Sequence, residues 1–177
     1  IVIAGTHGKT TTTSLAGWLL THGGADPTML VGGIARNFGE GGASYRVGKG
    51  KGFVIEGDEY DSAYFDKTAK FLKYLPDIVV IGNLEYDHAD IYPDMESLRV
   101  AFRRLLTLVP QHGRVLVGID SPEAARLVSF ARSEVETFGM SPEADWRASA
   151  IESADGRVRF EVWRQGEPFG RFESPLC

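Results

Sequence analysis

Residues Ile1 to Thr13 read IVIAGTHGKTTTT, and the rest of the chain is organised outward from them. Ile1, Val2 and Ile3 form a short apolar run. Gly5 opens a turn that reaches Gly8-Lys9-Thr10, and Ser14-Leu15-Ala16-Gly17-Trp18-Leu19-Leu20 continues it. The order is strand, glycine turn, helix. Glycines let backbone N–H groups converge on an anion, and the helix N-terminus adds orphan N–H groups and a partial positive charge. A lysine closing such a turn reaches terminal phosphates, and the hydroxyl after it can bind magnesium. The strict pattern wants a first glycine where Ile3 stands, so this turn is the shorter Gly5-Thr6-His7-Gly8-Lys9-Thr10. Phosphate binding, rather than a bare strand-to-helix turn, is the expectation.

Composition narrows the function classes. Apolar residues make up 43% and charged residues 24% of 177, an ordinary balance for a globular protein with one sizeable core. The net charge of −5 argues against nucleic-acid coating or adhesion to a membrane surface, since both need a basic face. No apolar run approaches the ~20 residues of a membrane span. The opening strand leads straight into the turn, without a signal peptide. The one cysteine, Cys177, permits no internal disulfide, which fits a cytoplasmic protein. The chain begins at Ile1 and stops directly after strand-like sequence, so a central segment of a longer protein is expected.

Further along, Leu15, Trp18, Leu19 and His22 are spaced for one helix face, ended by Gly23-Gly24. Thr28–Val31 reads as a short buried strand. Gly39 to Gly52, with Lys49 and Lys51, reads as a solvated glycine-rich hairpin or, less simply, a ligand contact. Phe53-Val54-Ile55 is a buried strand ending in Glu56-Gly57-Asp58-Glu59-Tyr60-Asp61. An acid at the carboxyl end of a parallel strand, beside a phosphate turn, is where a nucleotide site needs a magnesium ligand. Glu56 takes that place. Four carboxylates in six residues would repel one another without a cation, and the other three fit loop structure or substrate contact equally well. Ser62 to Leu75 is compatible with a helix or an ordered loop. Ile78–Ile81 is a third strand, followed by Gly82-Asn83-Leu84-Glu85-Tyr86-Asp87-His88-Ala89-Asp90. His88, at a strand end matching those of Lys9 and Glu56, is a candidate metal or phosphate contact.

Met95, Leu98, Phe102, Leu105, Leu106 and Val109 mark one face of a helix over Asp94–Val109, leaving Arg99, Arg103 and Arg104 solvated or paired. Arg114–Ile119 is a fourth strand and Val135–Phe138 a fifth. Between them Ser121-Pro122 starts a helix whose Ala124, Leu127, Val128 and Ala131 face inward. Alternation of strands and helices predicts a mostly parallel α/β sheet with flanking helices, similar to P-loop NTPases. From Asp145 the period changes to two: Trp146–Glu152, Arg157–Trp163 and Pro168–Glu173, with a turn at Gln165-Gly166-Glu167, predict a small antiparallel sheet. The expected organisation is a parallel core over 1–141 and the small sheet over 142–177.

Three stretches together carry a resemblance: GTHGKTTTT at Gly5–Thr13, EGDEYD at Glu56–Asp61 and NLEYDHADIY at Asn83–Tyr92. They resemble the central ATP-binding domain of the Mur ligases, the ATP-dependent amide ligases of peptidoglycan assembly. EGDEYD followed by AYFDK is most similar to the murein peptide ligase branch, which joins UDP-N-acetylmuramate to recycled L-alanyl-γ-D-glutamyl-meso-diaminopimelate. The L-alanine-adding branch typically has an EADESD-like stretch, so Gly57 and Tyr60 favour the recycling branch. The resemblance implies ATP and magnesium as cofactors and an acyl phosphate as intermediate. It implies that Gly5, Thr6, His7, Gly8, Lys9, Thr10 and Thr11 form the nucleotide turn, with Asn83 beside it. Lys9 would neutralise the β and γ oxygens, Thr10 and Glu56 would ligate one magnesium ion, and Glu56 and His88 a second.

No lysine follows Lys73, so the carbamylated lysine that several Mur ligases place after their DH motif is absent. The domain that binds the UDP-sugar would precede this chain, while the adenine contacts and the amine-binding domain would follow it. Alone, the chain is expected to bind ATP weakly and to ligate nothing. The competing readings are the L-alanine-adding ligase and, from a different class, a non-catalytic nucleotide switch. A GTPase would need an [NT]KxD stretch, and the later strands hold no lysine to supply one.

Overall fold

Short apolar runs such as Val2–Ala4, Phe53–Glu56, Ile78–Ile81 and Arg114–Gly118, rich in valine and isoleucine, become central strands of the main sheet. The computed structural model describes residues 1–87 and 91–175; His88, Ala89, Asp90, Leu176 and Cys177 lie outside the described residues. In chain order the elements begin with β1 (Val2–Ala4), α1 (Lys9–His22), β2 (Thr28–Ala35), β3 (Ala43–Arg46) and β4 (Phe53–Glu56). A separate two-stranded hairpin follows, β5 (Asp61–Ala63) and β6 (Asp66–Ala69). The chain continues through β7 (Ile78–Ile81), α2 (Met95–Leu108), β8 (Arg114–Gly118), α3 (Pro122–Ala125) and β9 (Glu134–Gly139). It finishes with β10 (Trp146–Ala154), β11 (Arg157–Arg164) and β12 (Glu167–Ser174).

Ten strands form a sheet ordered β12-β11-β10-β9-β8-β7-β1-β4-β2-β3. The strands from β2 to β10 in that order run parallel, while β3, β11 and β12 pair antiparallel. The expected antiparallel segment is therefore hydrogen-bonded to the parallel core. Trp146 and Arg147 pair with Phe138 and Gly139 before β10 turns to β11.

One face of the central strands (Val2, Ala4, Ile55, Val79, Ile81, Val115, Val117) packs against Leu98, Phe102, Leu105 and Leu106 of α2. Phe71, from the 3-10 turn Lys70–Lys73, meets Phe102 edge-on with centroids 5.2 Å apart. The helix predicted over Asp94–Val109 is present, capped by the Asp94 carboxylate accepting from Ser97 N–H. Arg99 and Arg103 pair with Glu96, and Arg99 also with Glu123.

Other expectations are corrected. In α1 the buried residues are Thr13 and Gly17, whereas Leu15, Leu19 and His22 are exposed. The cause is close packing: a Cβ at Gly17 would lie 2.6 Å from Met29 Sδ, so only small residues fit the face against β2. Ser62–Leu75, left open between a helix and an ordered loop, folds as most of the hairpin followed by the 3-10 turn. Helix α3 spans four residues, though Ala124 and Leu127 are buried as expected. In the Gly39–Gly52 segment, β3 pairs with β2, and the following residues fold onto the turn before β2. Lys49 N–H donates to Asp26 Oδ2 at 2.8 Å and Gly50 N–H to Asp26 O at 2.8 Å. That half of the loop sits at the amino end of β2, opposite the Gly5–Thr10 turn.

Two measurements follow from this packing. Phe102→Ala is expected to cost about 3–5 kcal/mol of unfolding free energy, read from urea denaturation. Asp145 accepts from the Thr137 N–H and hydroxyl, both at 2.8 Å, and these bonds hold its carboxyl below the usual range. Its stabilising contribution is therefore complete above the ordinary carboxylate pKa and is lost as pH falls through and below it. Asp145→Asn is expected to lower the urea midpoint near neutral pH and to make stability less sensitive to acid.

Candidate functional site

The turn after β1 is held from the side by the segment after β7. Gly5 (φ 138°) and Gly8 (φ 76°) both occupy the left-handed region that glycine tolerates. A Cβ on Gly5 would fall 2.8 Å from Asn83 O. Thr6 N–H donates to that carbonyl at 3.0 Å, and His7 N–H donates to Asn83 Oδ1 at 2.8 Å. The Thr6 hydroxyl donates to Glu85 O and accepts from Glu85 N–H. Asn83 thus orients the turn through both its main chain and its side chain.

Helix α1 starts directly at Lys9, with no side-chain cap and no acid in its first turn. Helices α2 and α3 differ: each has a capping side chain, Asp94 and Ser121, and a glutamate in the first turn. Thr11 lies exposed in the first turn of α1. The end of α1 facing the turn therefore keeps the orphan N–H groups and positive potential that suit a phosphate.

Lys9 folds across the turn. Its ammonium donates to Gly5 O at 2.8 Å, Thr6 O at 3.1 Å and Glu59 Oε1 at 2.9 Å. One residue on, Thr10 Oγ1 lies 2.9 Å from each Glu56 carboxylate oxygen. Glu56 Oε2 also accepts the Gly32 N–H at 2.7 Å; a Cβ at Gly32 would come within 3.2 Å of that oxygen. A hydroxyl and a carboxylate side by side at the mouth of a phosphate turn are the hard oxygen donors that magnesium takes. The residues present fit that ion and a nucleotide's phosphates.

The repulsion expected among the four carboxylates is relieved differently. Asp58 pairs with Lys70 at 2.6 Å, Asp61 with Lys67 at 2.7 Å and Glu59 with Lys9. Two of those lysines come from the hairpin segment, which folds back over the acidic run. Glu56 is the carboxylate turned to Thr10. Glu59, 2% exposed, was singled out by nothing in the sequence beyond its place in an acidic run. Its main-chain carbonyl accepts from the Tyr92 hydroxyl at 2.6 Å. Burial, with Glu59 next in effect, pushes that phenol up to about 12.

Gly5, Thr6, His7, Gly8, Lys9, Thr10, Thr11, Glu56 and Asn83 converge at the carboxyl ends of β1, β4 and β7. The His7 ring sits on the exposed side, 3.5 Å from the Glu85 carboxylate. His88, the remaining candidate ligand, lies outside the described residues. Among the described residues no group of three or more histidine, cysteine or acidic side chains gathers to hold a metal. Beside the turn, a cavity of about 580 Å³ is lined by residues that include Asn83, Glu85, Tyr86, Ser121 and Glu123.

The Mur ligase middle domain family matches residues 3–177. A UDP-N-acetylmuramate–L-alanine ligase of Anaeromyxobacter sp. (strain Fw109-5) is 41% identical over 99% of this chain and 36% of its own length. The UDP-N-acetylmuramate–L-alanyl-γ-D-glutamyl-meso-2,6-diaminoheptandioate ligase of Haemophilus influenzae is 35% identical over 94% of the chain and 36% of its own length. The chain thus spans about a third of the relatives it matches. Among solved structures, the UDP-N-acetylmuramate:L-alanyl-γ-D-glutamyl-meso-diaminopimelate ligase from Neisseria meningitides superposes with a TM-score of 0.87. It is 35% identical, over all of this chain and 55% of that one.

Gly5→Ala is expected to cost about 1–3 kcal/mol of stability, because it combines a strained φ with a backbone collision at Asn83. Urea denaturation at neutral pH measures it, and an unchanged midpoint would mean that the turn is not seated on Asn83.

Proposed function

Since the chain belongs to the Mur ligase family, as its middle domain, we propose that it is the nucleotide-binding part of a ligase acting on UDP-N-acetylmuramate. Mur ligases are ATP-dependent carbon–nitrogen ligases of peptidoglycan synthesis. The observation that carries the reading is the Thr10–Glu56 contact at the mouth of a glycine turn whose helix is left uncapped. In this reading a carboxylate oxygen attacks the γ-phosphorus of ATP and ADP leaves; an amine then attacks the carbonyl of the acyl phosphate, and the tetrahedral intermediate expels phosphate as the nitrogen loses a proton to form the amide.

Phosphoryl transfer asks the protein for positioning and charge neutralisation more than for covalent help. The Thr6 and His7 N–H groups are taken by Asn83, so the main-chain N–H groups of Gly8 to Thr10 at the start of α1 hold phosphate oxygens, with Gly5 and Gly8 giving the turn its shape. Lys9 neutralises charge on the transferring group. Thr10 and Glu56 would hold a magnesium ion, which would supply further neutralisation. His88 is assigned as a ligand of a second ion beside Glu56 on sequence alone. Asn83 keeps the turn in register, Thr11 extends its rim, and His7 lines it without acid–base work. A cytoplasmic location, and further domains of the same protein that hold the UDP-sugar and the amine, go with this reading.

For the amine we favour the diaminopimelate tripeptide, supported by the 0.87 superposition. Gly57 supports this less than its motif suggested. A Cβ there would lie 2.9 Å from Ala4 Cβ and Val2 Cγ1, so packing against β1 accounts for the glycine. The 41% identity to an L-alanine ligase favours L-alanine as the second reading.

The test is phosphate release by the full-length protein given ATP, magnesium and UDP-N-acetylmuramate, with either the tripeptide or L-alanine. Turnover only with the tripeptide is expected; turnover only with L-alanine would move the chain to the other branch, and none with either would favour a nucleotide switch. Lys9→Ala is expected to lower kcat/KM by at least about 100-fold, with a lower melting temperature because Glu59 loses its cation.

A further inference from the structure

An ammonium group has three protons to donate, and three acceptors surround Lys9. Two, Gly5 O and Thr6 O, belong to the turn itself. The third, Glu59 Oε1, comes from 50 residues away, on a side chain 2% exposed whose main-chain carbonyl is pinned by the Tyr92 hydroxyl. Lys9 is itself only 14% exposed. The pair is therefore built into the fold, unlike the solvated lysine–aspartate pairs of the neighbouring hairpin.

We propose that Glu59 is a positioning residue for phosphoryl transfer, holding the Lys9 ammonium across the mouth of the turn. The inference rests on the nucleotide reading above. A lysine on its four-carbon stem is a mobile point charge. Anchored to a buried carboxylate, it meets an incoming phosphate from one direction. A buried carboxylate stripped of its cation costs more than the pair contributes, so Lys9 keeps Glu59 and yields a turn carbonyl when a phosphate oxygen approaches. The negative charge of Glu59 itself opposes a polyanionic ligand. Positioning and binding should therefore separate when that charge is removed.

In the full-length protein, Glu59→Gln is expected to lower kcat for ATP-dependent phosphate release by about 10- to 100-fold, the effect of misplacing a reacting group by about 1 Å. Its Kd for ADP, by isothermal titration, is expected to equal or fall below that of the wild type. Tyr92→Phe keeps the ring but releases the Glu59 carbonyl, and a smaller fall in kcat with ADP binding retained is expected. A Glu59→Gln kcat within about twofold of wild type would overturn the proposal, as would ADP binding that weakens in step with kcat. Should Glu59→Gln not fold by thermal melting, Tyr92→Phe decides, and unchanged turnover there overturns the proposal. Wild-type protein that binds no ADP would overturn the nucleotide reading and this inference together. ADP binding by the wild type with unaffected variants would overturn this inference alone.

Discussion

Strand β1 lies between β4 and β7, parallel to both, with Ile3 opposite Glu56 and Ala4 opposite Ile81. The carboxyl ends of all three strands therefore stop side by side, and the segments leaving them have to share one small volume. The turn after β1 accommodates this by running against Asn83 so closely that no side chain fits at Gly5. From that constraint follow the aim of the Thr6 and His7 N–H groups, the exposed start of α1 and the placing of Thr10 beside Glu56. A shift of β1 against either neighbour would disperse all of them.

The charges around this point are graded by burial. On and beside the hairpin, Asp61–Lys67, Asp58–Lys70 and Asp66–Lys73 are solvated pairs of little weight for stability. Their effect is chiefly on geometry, since they fold the β5–β6 arm back and quiet the acidic run around Glu56. Lys9–Glu59 is different in kind, because both groups are largely withdrawn from water and loss of either would strand the other. The acidic run after β4 thus divides its labour, with Glu56 facing the turn, Glu59 holding its lysine and the two aspartates tying the hairpin.

Several elements were legible in the sequence because local rules and tertiary packing agree in them. The runs at Ile78–Ile81 and Arg114–Gly118 are strands, and the spacing of Leu98, Phe102, Leu105 and Leu106 gives the α2 face. Gln165 and Gly166, both at positive φ, make the turn before β12. The failures came where packing inverted the pattern. Leu15 and Leu19 look like a core stripe, yet α1 presses so close to β2 that the inner face admits only Thr13 and Gly17. Ser62–Leu75 is a different case: its sequence leaves helix and ordered loop open because it has no period to read, its lysines answering acids upstream rather than neighbours on a helix.

At the site, the sequence by itself determined the chemistry: a glycine turn with Lys9 and Thr10, and acids and Asn83 at the ends of later strands. Those groups follow from residue type and from the rule that parallel strands end on one edge. Glu56 was already marked out by its place at a strand end; only the tertiary structure decided that Glu59 pairs with Lys9. Glu56 and Glu59 are three residues apart in one acidic run. Strand register sets Glu56 against Thr10 and Gly32, while the Tyr92 hydroxyl and the buried pocket turn Glu59 to Lys9. The pairing depends on distances between segments far apart along the chain, and a linear sequence does not carry those distances.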